Sequence, residues 1–132
     1  MAVDSIKSDA SIMAALGRQM TRAVQRETLS ASNLANIDTP GYRSRGLSFE
    51  DALGASSGIA LQATDGQHIK AKANPIGTVK ENTDMSAQRN GNNVQLDREL
   101  LEMNRAMGDF SNAQTVLAAK FRLVRYAINE GR

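Results

Sequence analysis

Side chains that could carry catalysis or bind a metal are few and scattered in this sequence. His68 is the single histidine, Asp65 is the nearest acidic residue to it, and there is no cysteine. A protein metal site usually takes three or four ligands, and a histidine that acts as a general base needs a partner within a pocket. We therefore expect no catalytic residue, no cofactor and no metal. A small enzyme stays an alternative, which would require a convergent cluster of polar side chains.

The charged residues are nearly balanced, with 16 basic and 14 acidic side chains and a net charge of +2. Proteins that bind nucleic acid usually concentrate basic residues on one face, so we expect no nucleic-acid partner. Arg18, Arg22 and Arg26 recur every four residues and would share one stripe of a helix. A solvated helix face is the simpler interpretation, and contact with an acidic partner is the alternative.

A tight turn is indicated by Thr39-Pro40-Gly41-Tyr42. Pro40 presets the φ angle required at the second position of a type II turn, and Gly41 tolerates the positive φ required at the third. Asn33 and Asn36 precede this turn, and their amides can bond backbone groups of their own chain or of a neighbouring one. Tyr42 combines a ring with a hydroxyl, which suits an interface.

The residues before the turn predict a helix over 1–36, with few helix-breaking residues. Its apolar positions include Leu16, Met20 and Val24, and the spacings from Met13 to Val24 and from Val24 to Ala35 are both eleven residues. An eleven-residue repeat keeps one face of a helix nearly straight. Because the stripe is narrow and consists of small or flexible side chains, we expect this helix to need partners.

The C-terminal region, 94–132, contains the clearest periodicity in the chain. Apolar residues recur there at alternating steps of four and three, with Gln114 as the one polar member of the series: Leu96, Leu100, Met103, Met107, Phe110, Leu117, Phe121, Val124 and Ile128. This heptad seam is typical of a coiled-coil helix. Acidic residues near its start and Lys120, Arg122 and Arg125 near its end would complement the helix dipole.

The region between the helices, 37–93, is polar and rich in Gly, Ser and Asn. Residues 48–53 could form one helical turn, and Asp65-Gly66 favours a short β-hairpin with flanks at 59–61 and 68–70. The predicted fold is mainly α: long N- and C-terminal helices pair as an antiparallel coiled-coil-like hairpin around a loop-rich middle. We expect one structural unit, with the seam packed on the N-terminal helix and the remaining narrow face free for other subunits.

Transport signals give one further expectation. No stretch approaches the 18 apolar residues of a membrane-spanning helix. The N-terminus lacks a basic start followed by an apolar run, so we expect no cleavable secretory signal.

Two segments resemble the signature of the flagellar rod, hook and related axial proteins. One is the Asn-aliphatic-Ala-Asn run that closes the first helix and continues into Thr-Pro-Gly-Tyr, over 29–43; the other is Asn-Asn-Val-Gln-Leu-Asp, over 92–97, which opens the last helix. Together with the short length they are most similar to the proximal rod members. Both helical regions, about half of the chain, take part in the resemblance.

The resemblance implies a structural, self-assembling subunit of the proximal rod, the drive shaft that transmits motor torque to the hook. It implies export by the flagellar type III apparatus without a cleaved signal, and a location in the periplasmic part of the basal body. Its partners would be other copies of itself, other rod proteins and the ring or export-gate adapter at the rod base. A different rod or hook-basal-body subunit, and a soluble helical adaptor or chaperone that binds partner helices, stay as alternatives.

On this interpretation the assembly interface is formed by residues of both helices and of the turn. The expected members are Leu16, Met20, Val24, Asn33, Leu34, Asn36, Thr39, Pro40, Gly41, Tyr42, Leu100, Met103, Met107, Phe110, Leu117, Phe121, Val124 and Ile128.

Overall fold

The part of the chain that the structure describes forms two long helices and a pair of short strands. A computed structural model describes residues 2–48 and 76–130. In chain order the elements are helix α1 (Ala2–Ala35), strand β1 (Arg45–Ser48), strand β2 (Thr78–Glu81) and helix α2 (Leu96–Glu130). The predicted mainly α hairpin is confirmed.

The two helices run antiparallel, and ion pairs at separate points along them fix their register. Near the free end of the hairpin, Lys120 of α2 bonds Asp9 of α1. Further along, Arg26 of α1 reaches both Glu102 and Asp109 of α2, at 2.9 and 2.7 Å. As the residue numbers rise on one helix they fall on the other, which is the antiparallel order.

The side of α1 that is shielded from solvent follows a heptad and not the eleven-residue repeat. Ala23 and Ser30 are buried, and Leu16 and Met20 are half-buried at the expected three- and four-residue steps. Val24 of the eleven-residue repeat lies off this shielded side, because it is 47% exposed. The residues of α1 that are buried against the rest of the chain are small, namely Ala23 and Ser30. The positions of the large apolar residues therefore do not predict which side of α1 is packed.

The packed face of α2 is rotated from the predicted seam. Ala106 and Ala113 are buried, while Met103, Phe110 and Leu117 beside them are half-buried. These three are the predicted seam residues that the hairpin shields. The expectation that the whole seam packs on α1 is wrong, because the remaining large members lie in solvent: Leu96, Leu100, Met107, Phe121, Val124 and Ile128.

The dipole argument holds only at the start of α2. Asp97 and Glu99 lie in its first turn, but the helix continues to Glu130 and its last turn contains no basic residue.

Strands β1 and β2 pair antiparallel between the helices, with Ser48 opposite Thr78 and Arg45 opposite Glu81. This pair lies outside the flanks predicted from Asp65-Gly66. That predicted hairpin and the helical turn over 48–53 fall outside the described residues, apart from Ser48, which belongs to β1. In the described ranges, neither helix has an apolar stretch long enough to cross a membrane.

Candidate assembly surface

The turn after α1 has the predicted geometry. Gly41 has a φ of 73°, and the Tyr42 amide donates to the Thr39 carbonyl at 3.3 Å. The Gly41 amide also donates to the carbonyl of Asn90 at 2.9 Å, which ties the turn to the loop that precedes α2. The direction in which the chain leaves α1 is therefore fixed by contacts with a segment about fifty positions later in the sequence.

The Asn92 side chain stabilises this turn through hydrogen bonds to its backbone. The two N–H groups of its buried side-chain amide are shared among three backbone carbonyls, those of Asn36, Ile37 and Thr39, each 2.9 Å from the nitrogen. Its side-chain oxygen accepts from the Val94 amide at 2.7 Å. One side chain thus bonds three carbonyls of the turn that follows α1, and it also caps the segment that leads into α2.

Asn33 and Asn93 perform the same task on the strand that follows. The Asn33 side chain donates to the Arg45 carbonyl and accepts from the Arg45 amide, both at 2.9 Å, in a two-bond clamp. The Asn93 oxygen accepts from the Ser44 amide at 2.6 Å, and its nitrogen donates to the Asn82 carbonyl at 2.7 Å. We call Asn33, Ser44, Asn82, Asn92 and Asn93 the polar knot.

The polar knot gives the predicted turn residues a role within the chain. Asn33 is buried and also accepts from the Tyr42 hydroxyl at 3.3 Å. The Asn36 amide donates to the Ser32 carbonyl at 2.9 Å, and its oxygen accepts from the Thr39 hydroxyl at 3.3 Å. The side-chain amides of Asn33 and Asn36 thus form hydrogen bonds within their own chain. A contact between subunits through either residue stays a prediction.

Two groups of large apolar side chains on α2 face solvent, Leu100 with Met107 and, towards the C-terminal end, Phe121 with Val124 and Ile128. We call these five residues the apolar stripe. Phe121 is 56% exposed and Ile128 is 68% exposed. Towards the C-terminal end, Phe121, Val124 and Ile128 line a shallow surface depression together with Arg122 and Arg125. Contiguous exposed apolar surface of this kind is characteristic of interaction sites.

The ion pairs of Arg26 with Glu102 and Asp109 shift the pKa values of Arg26 and Glu102. Burial alone would lower the pKa of the Arg26 guanidinium, but hydrogen bonds and the charges of Glu102 and Asp109 outweigh it and raise that pKa. Arg26, chiefly through its hydrogen bond, lowers the pKa of the Glu102 carboxyl against the opposing effect of burial, with help from Arg105. The helix pair is thus held by charges as well as by apolar contact.

The three arginines of the predicted stripe, Arg18, Arg22 and Arg26, lie in different environments. Burial, followed by the charges of Arg18 and Arg26, lowers the pKa of Arg22. Arg22 is half-buried and donates to the Ile76 carbonyl at 3.4 Å, whereas Arg18 is exposed. The solvated-face interpretation therefore fits Arg18, while Arg22 and Arg26 bond other parts of the chain.

The predicted interface residues fall into three environments. Asn33 is buried; the half-buried residues are Leu16, Met20, Leu34, Asn36, Tyr42, Met103, Phe110 and Leu117. Val24, Thr39, Pro40, Gly41 and the whole apolar stripe are exposed.

Sequence reasoning missed the residues that set the rotation of the helices and the link between turn and loop. Glu102 and Asp109 are seven residues apart and so lie on the same side of α2. This spacing is a signal that charged residues border the contact with α1. Ala106 and Ala113 repeat the same interval, which is a second signal. Asn92 carried no such signal, because its partners are carbonyls that only the folded chain brings to it.

No group of histidine, cysteine and acidic residues within 2–48 and 76–130 could hold a metal ion. His68 and Asp65 lie outside these ranges.

Comparison with known proteins identifies the family. A family model described as "Flagella basal body rod protein" matches residues 12–43, which are the larger part of α1 and the turn that follows it. The flagellar basal body rod protein FlgB of Bacillus subtilis is 31% identical over 115 residues, covering 77% of this chain and 89% of the relative.

Relatives from other bacteria have the same name. FlgB of Salmonella typhimurium is 30% identical over 108 residues, covering 74% of this chain and 78% of the relative. FlgB of Escherichia coli is 36% identical over 85 residues, covering 57% and 62%. With such similarity over most of a relative's length, this chain belongs to the FlgB family of flagellar basal body rod proteins.

Proposed function

We propose that this protein is a structural subunit of the rod of the bacterial flagellar basal body and that it assembles through the apolar stripe of α2. The observation that carries the proposal is a helical hairpin that leaves six of the nine apolar residues of its heptad seam in solvent. Rod proteins form the family to which the chain belongs, and a rod requires each subunit to offer surface to its neighbours.

The energetics support association. Each stripe residue retains between 39% and 68% of its surface in water. Covering that remainder would contribute about 1 kcal/mol for each side chain, since full burial of a large apolar side chain is worth about 1.5–3 kcal/mol. Several such contacts along one helix can offset the entropy that a subunit loses on assembly.

The hairpin is also suited to bearing load. The stripe lies on a single continuous helix, and ion pairs and the polar knot hold that helix to the rest of the described chain. Force applied to the stripe would therefore be transmitted to both helices. We assign the subunit to the proximal rod, where it would carry torque from the motor towards the hook.

The same proposal includes the partners and the route of delivery. Neighbours would be further copies of this chain, other rod proteins and the adapter at the rod base. We propose export through the flagellar type III apparatus into the periplasm, the route that the resemblance to flagellar axial proteins implies. A role in scaffolding needs no catalytic residue, and we propose none.

The test is a clean deletion in the source bacterium, scored by motility and by electron microscopy of purified basal bodies. We expect non-motile cells whose particles keep the membrane ring but lack rod and hook, and restoration by a plasmid copy. Intact rods and hooks in the deletion strain would overturn the proposal and would favour a helical adaptor.

A further inference from the structure

The apolar stripe consists of two groups of side chains with a polar residue between them. Gln114 is exposed and lies midway, seven residues from Met107 and seven from Phe121. Leu100 and Ile128 are each fourteen residues from it. Residues seven apart share one side of a coiled-coil helix. A partner of the stripe must therefore offer two apolar patches with a polar patch between them.

A second copy of α2 offers this pattern when the two helices run antiparallel. Rotation about a two-fold axis at Gln114 brings Ile128 of the second copy opposite Leu100. The same rotation brings Phe121 of the second copy opposite Met107. The two Gln114 side chains then meet at the axis, where each amide can donate to the other and accept from it. The stripe is thus complementary to itself, as an isologous contact requires.

The charges of α2 favour the antiparallel order over the parallel one. Arg122 and Arg125 are exposed and line the surface depression of the second apolar group. In a parallel pair each arginine would lie beside its own counterpart, and like charges side by side are unfavourable. In an antiparallel pair they lie towards the start of the other α2, whose first turn contains Asp97 and Glu99. The antiparallel order therefore avoids the contact between like charges.

The size of the stripe determines how strong such a contact can be. A stable interface takes about 20–30 residues on each side, whereas the stripe has five large apolar residues that keep 39–68% of their surface in water. Covering these residues favours association because apolar surface is removed from water. With so few of them we expect a weak dimer, with a dissociation constant between about 1 µM and 1 mM.

We propose that, in the unassembled state, a second copy of this chain covers the apolar stripe in a weak antiparallel dimer with its two-fold axis at Gln114. The occupant is a copy of the chain because the stripe matches itself in its apolar pattern, its polar centre and its charge order.

Such a dimer is closed, because each stripe occupies the other, and a closed contact does not extend into a filament. The dimer would protect the exposed apolar surface from non-specific association until other neighbours take its place. That those neighbours are rod subunits rests on the function proposed above; the dimer does not.

The first test measures the dimer with the full chain alone. In sedimentation equilibrium the average mass should rise from one chain towards two between about 1 µM and 1 mM. We expect Phe121→Asp to weaken the dimer by about tenfold or more, because the two-fold axis places the new carboxylate in two contacts at once. Asn112→Asp, at an exposed position on another side of α2, should leave the dimer unchanged. Circular dichroism checks that each variant keeps its helices, and Leu100→Asp replaces Phe121→Asp if that variant unfolds.

The second test determines the orientation of the two copies. The chain contains no cysteine, so an introduced cysteine is its single thiol. Gln114→Cys should form a disulfide-linked dimer under mild oxidation, because the axis brings the two residues together. Met107→Cys alone should not, since the antiparallel order separates its two copies by about 21 Å along the helix, and a disulfide joins Cα atoms less than about 7 Å apart. A mixture of Met107→Cys with Phe121→Cys should cross-link.

A monomer throughout the concentration range, or a dimer that Phe121→Asp leaves intact, would overturn the proposal. Self-cross-linking of Met107→Cys would indicate a parallel pair, and a mass beyond two chains would indicate an open contact; each would overturn it as well. An intact rod in the deletion strain would contradict the proposed function but would leave the dimer standing. A monomeric chain together with a missing rod would do the reverse.

Discussion

At the residue scale, the four asparagines of the polar knot make contacts that an apolar core would otherwise supply. The chain is poor in large rings, with three Phe, two Tyr and no Trp. Side-chain amides both donate and accept, so one Asn can satisfy several backbone groups of an irregular segment. Asn92 does so for three carbonyls of the turn after α1.

We expect Asn92→Ala to lower the free energy of unfolding by about 2–3 kcal/mol, because the buried Val94 amide and the Ile37 carbonyl lose their partner and the turn loses two further hydrogen bonds. Urea unfolding followed by circular dichroism measures the change. Asn104→Ala is the matched control, since Asn104 is exposed within α2 and alanine favours helices. Equal stability of the two variants would show that the Asn92 bonds contribute nothing.

Asn33→Asp is a subtler test, because the side chain keeps its shape. The Asn33 nitrogen that donates to the Arg45 carbonyl becomes an acceptor, so two oxygens face each other at the end of the clamp. We expect a loss of about 1–3 kcal/mol at neutral pH, measured by urea unfolding. If protonation of the new carboxyl at low pH does not narrow the gap from the parent chain, the clamp explanation fails.

At the scale of the elements, two glycines have opposite roles. Gly77 has a φ of 108°, and a Cβ there would lie 2.7 Å from the Ser48 carbonyl oxygen. Gly108 lies in α2 with nothing within 4 Å of an added Cβ. We expect Gly77→Ala to destabilise the strand pair by at least 1 kcal/mol, roughly the cost of backbone strain, and Gly108→Ala to stabilise the chain by about 0.5–1 kcal/mol.

Thermal unfolding of both glycine variants checks these opposite signs. The midpoint should fall for Gly77→Ala and rise for Gly108→Ala. A fall in both would mean that Gly108 is required for something other than helix propensity.

The helix pair should respond to acid through Glu102. Because the folded state lowers the pKa of this carboxyl, its contribution to stability is complete above the unfolded value of 4.5 and is lost as the pH falls through the folded pKa. We expect Glu102→Gln to reduce the loss of stability between pH 7 and pH 3, measured as the shift in urea midpoint. Asp84→Asn, at an exposed loop position, should leave that loss unchanged.

The elements also show how far the sequence could be read. The heptad spacing predicts that α2 is one long helix, but positions 100, 107 and 121 share that spacing with 99, 106 and 120. The apolar residues at 100, 107 and 121 lead to the prediction that this set faces α1. In the structure the set 99, 106 and 120 faces α1, because small residues and charge pairs on that side make the contact. The strand pair was missed because its members are four residues long and about thirty positions apart, so no local pattern joins them.

At the scale of the whole molecule, the exposed position of Phe121 changes the expected effect of a charge there. Phe121→Asp should leave the helicity and thermal stability of the isolated chain nearly unchanged, because the Phe121 side chain is largely exposed to solvent. It should abolish motility by placing a carboxylate in the interface between subunits, while expression and export continue.

Motility in soft agar, basal-body microscopy and circular dichroism together test this expectation. Ser111→Asp is the matched control, since Ser111 is exposed on α2 outside the apolar stripe. A fully motile Phe121→Asp strain would remove the stripe from the interface, and an unfolded variant would show that the hairpin needs Phe121.

Ser48 and Thr78 are direct partners across the two strands, so the chain between them begins and ends at neighbouring points. In polymer terms, the entropic cost of bringing two such points together grows only with the logarithm of the number of residues between them, and each doubling costs about 0.6 kcal/mol. Insertions or deletions there would leave the helix register and the apolar stripe in place. The subunit can therefore accept foreign sequence at this point, such as an epitope or a small domain with adjacent termini, without altering how it meets its neighbours.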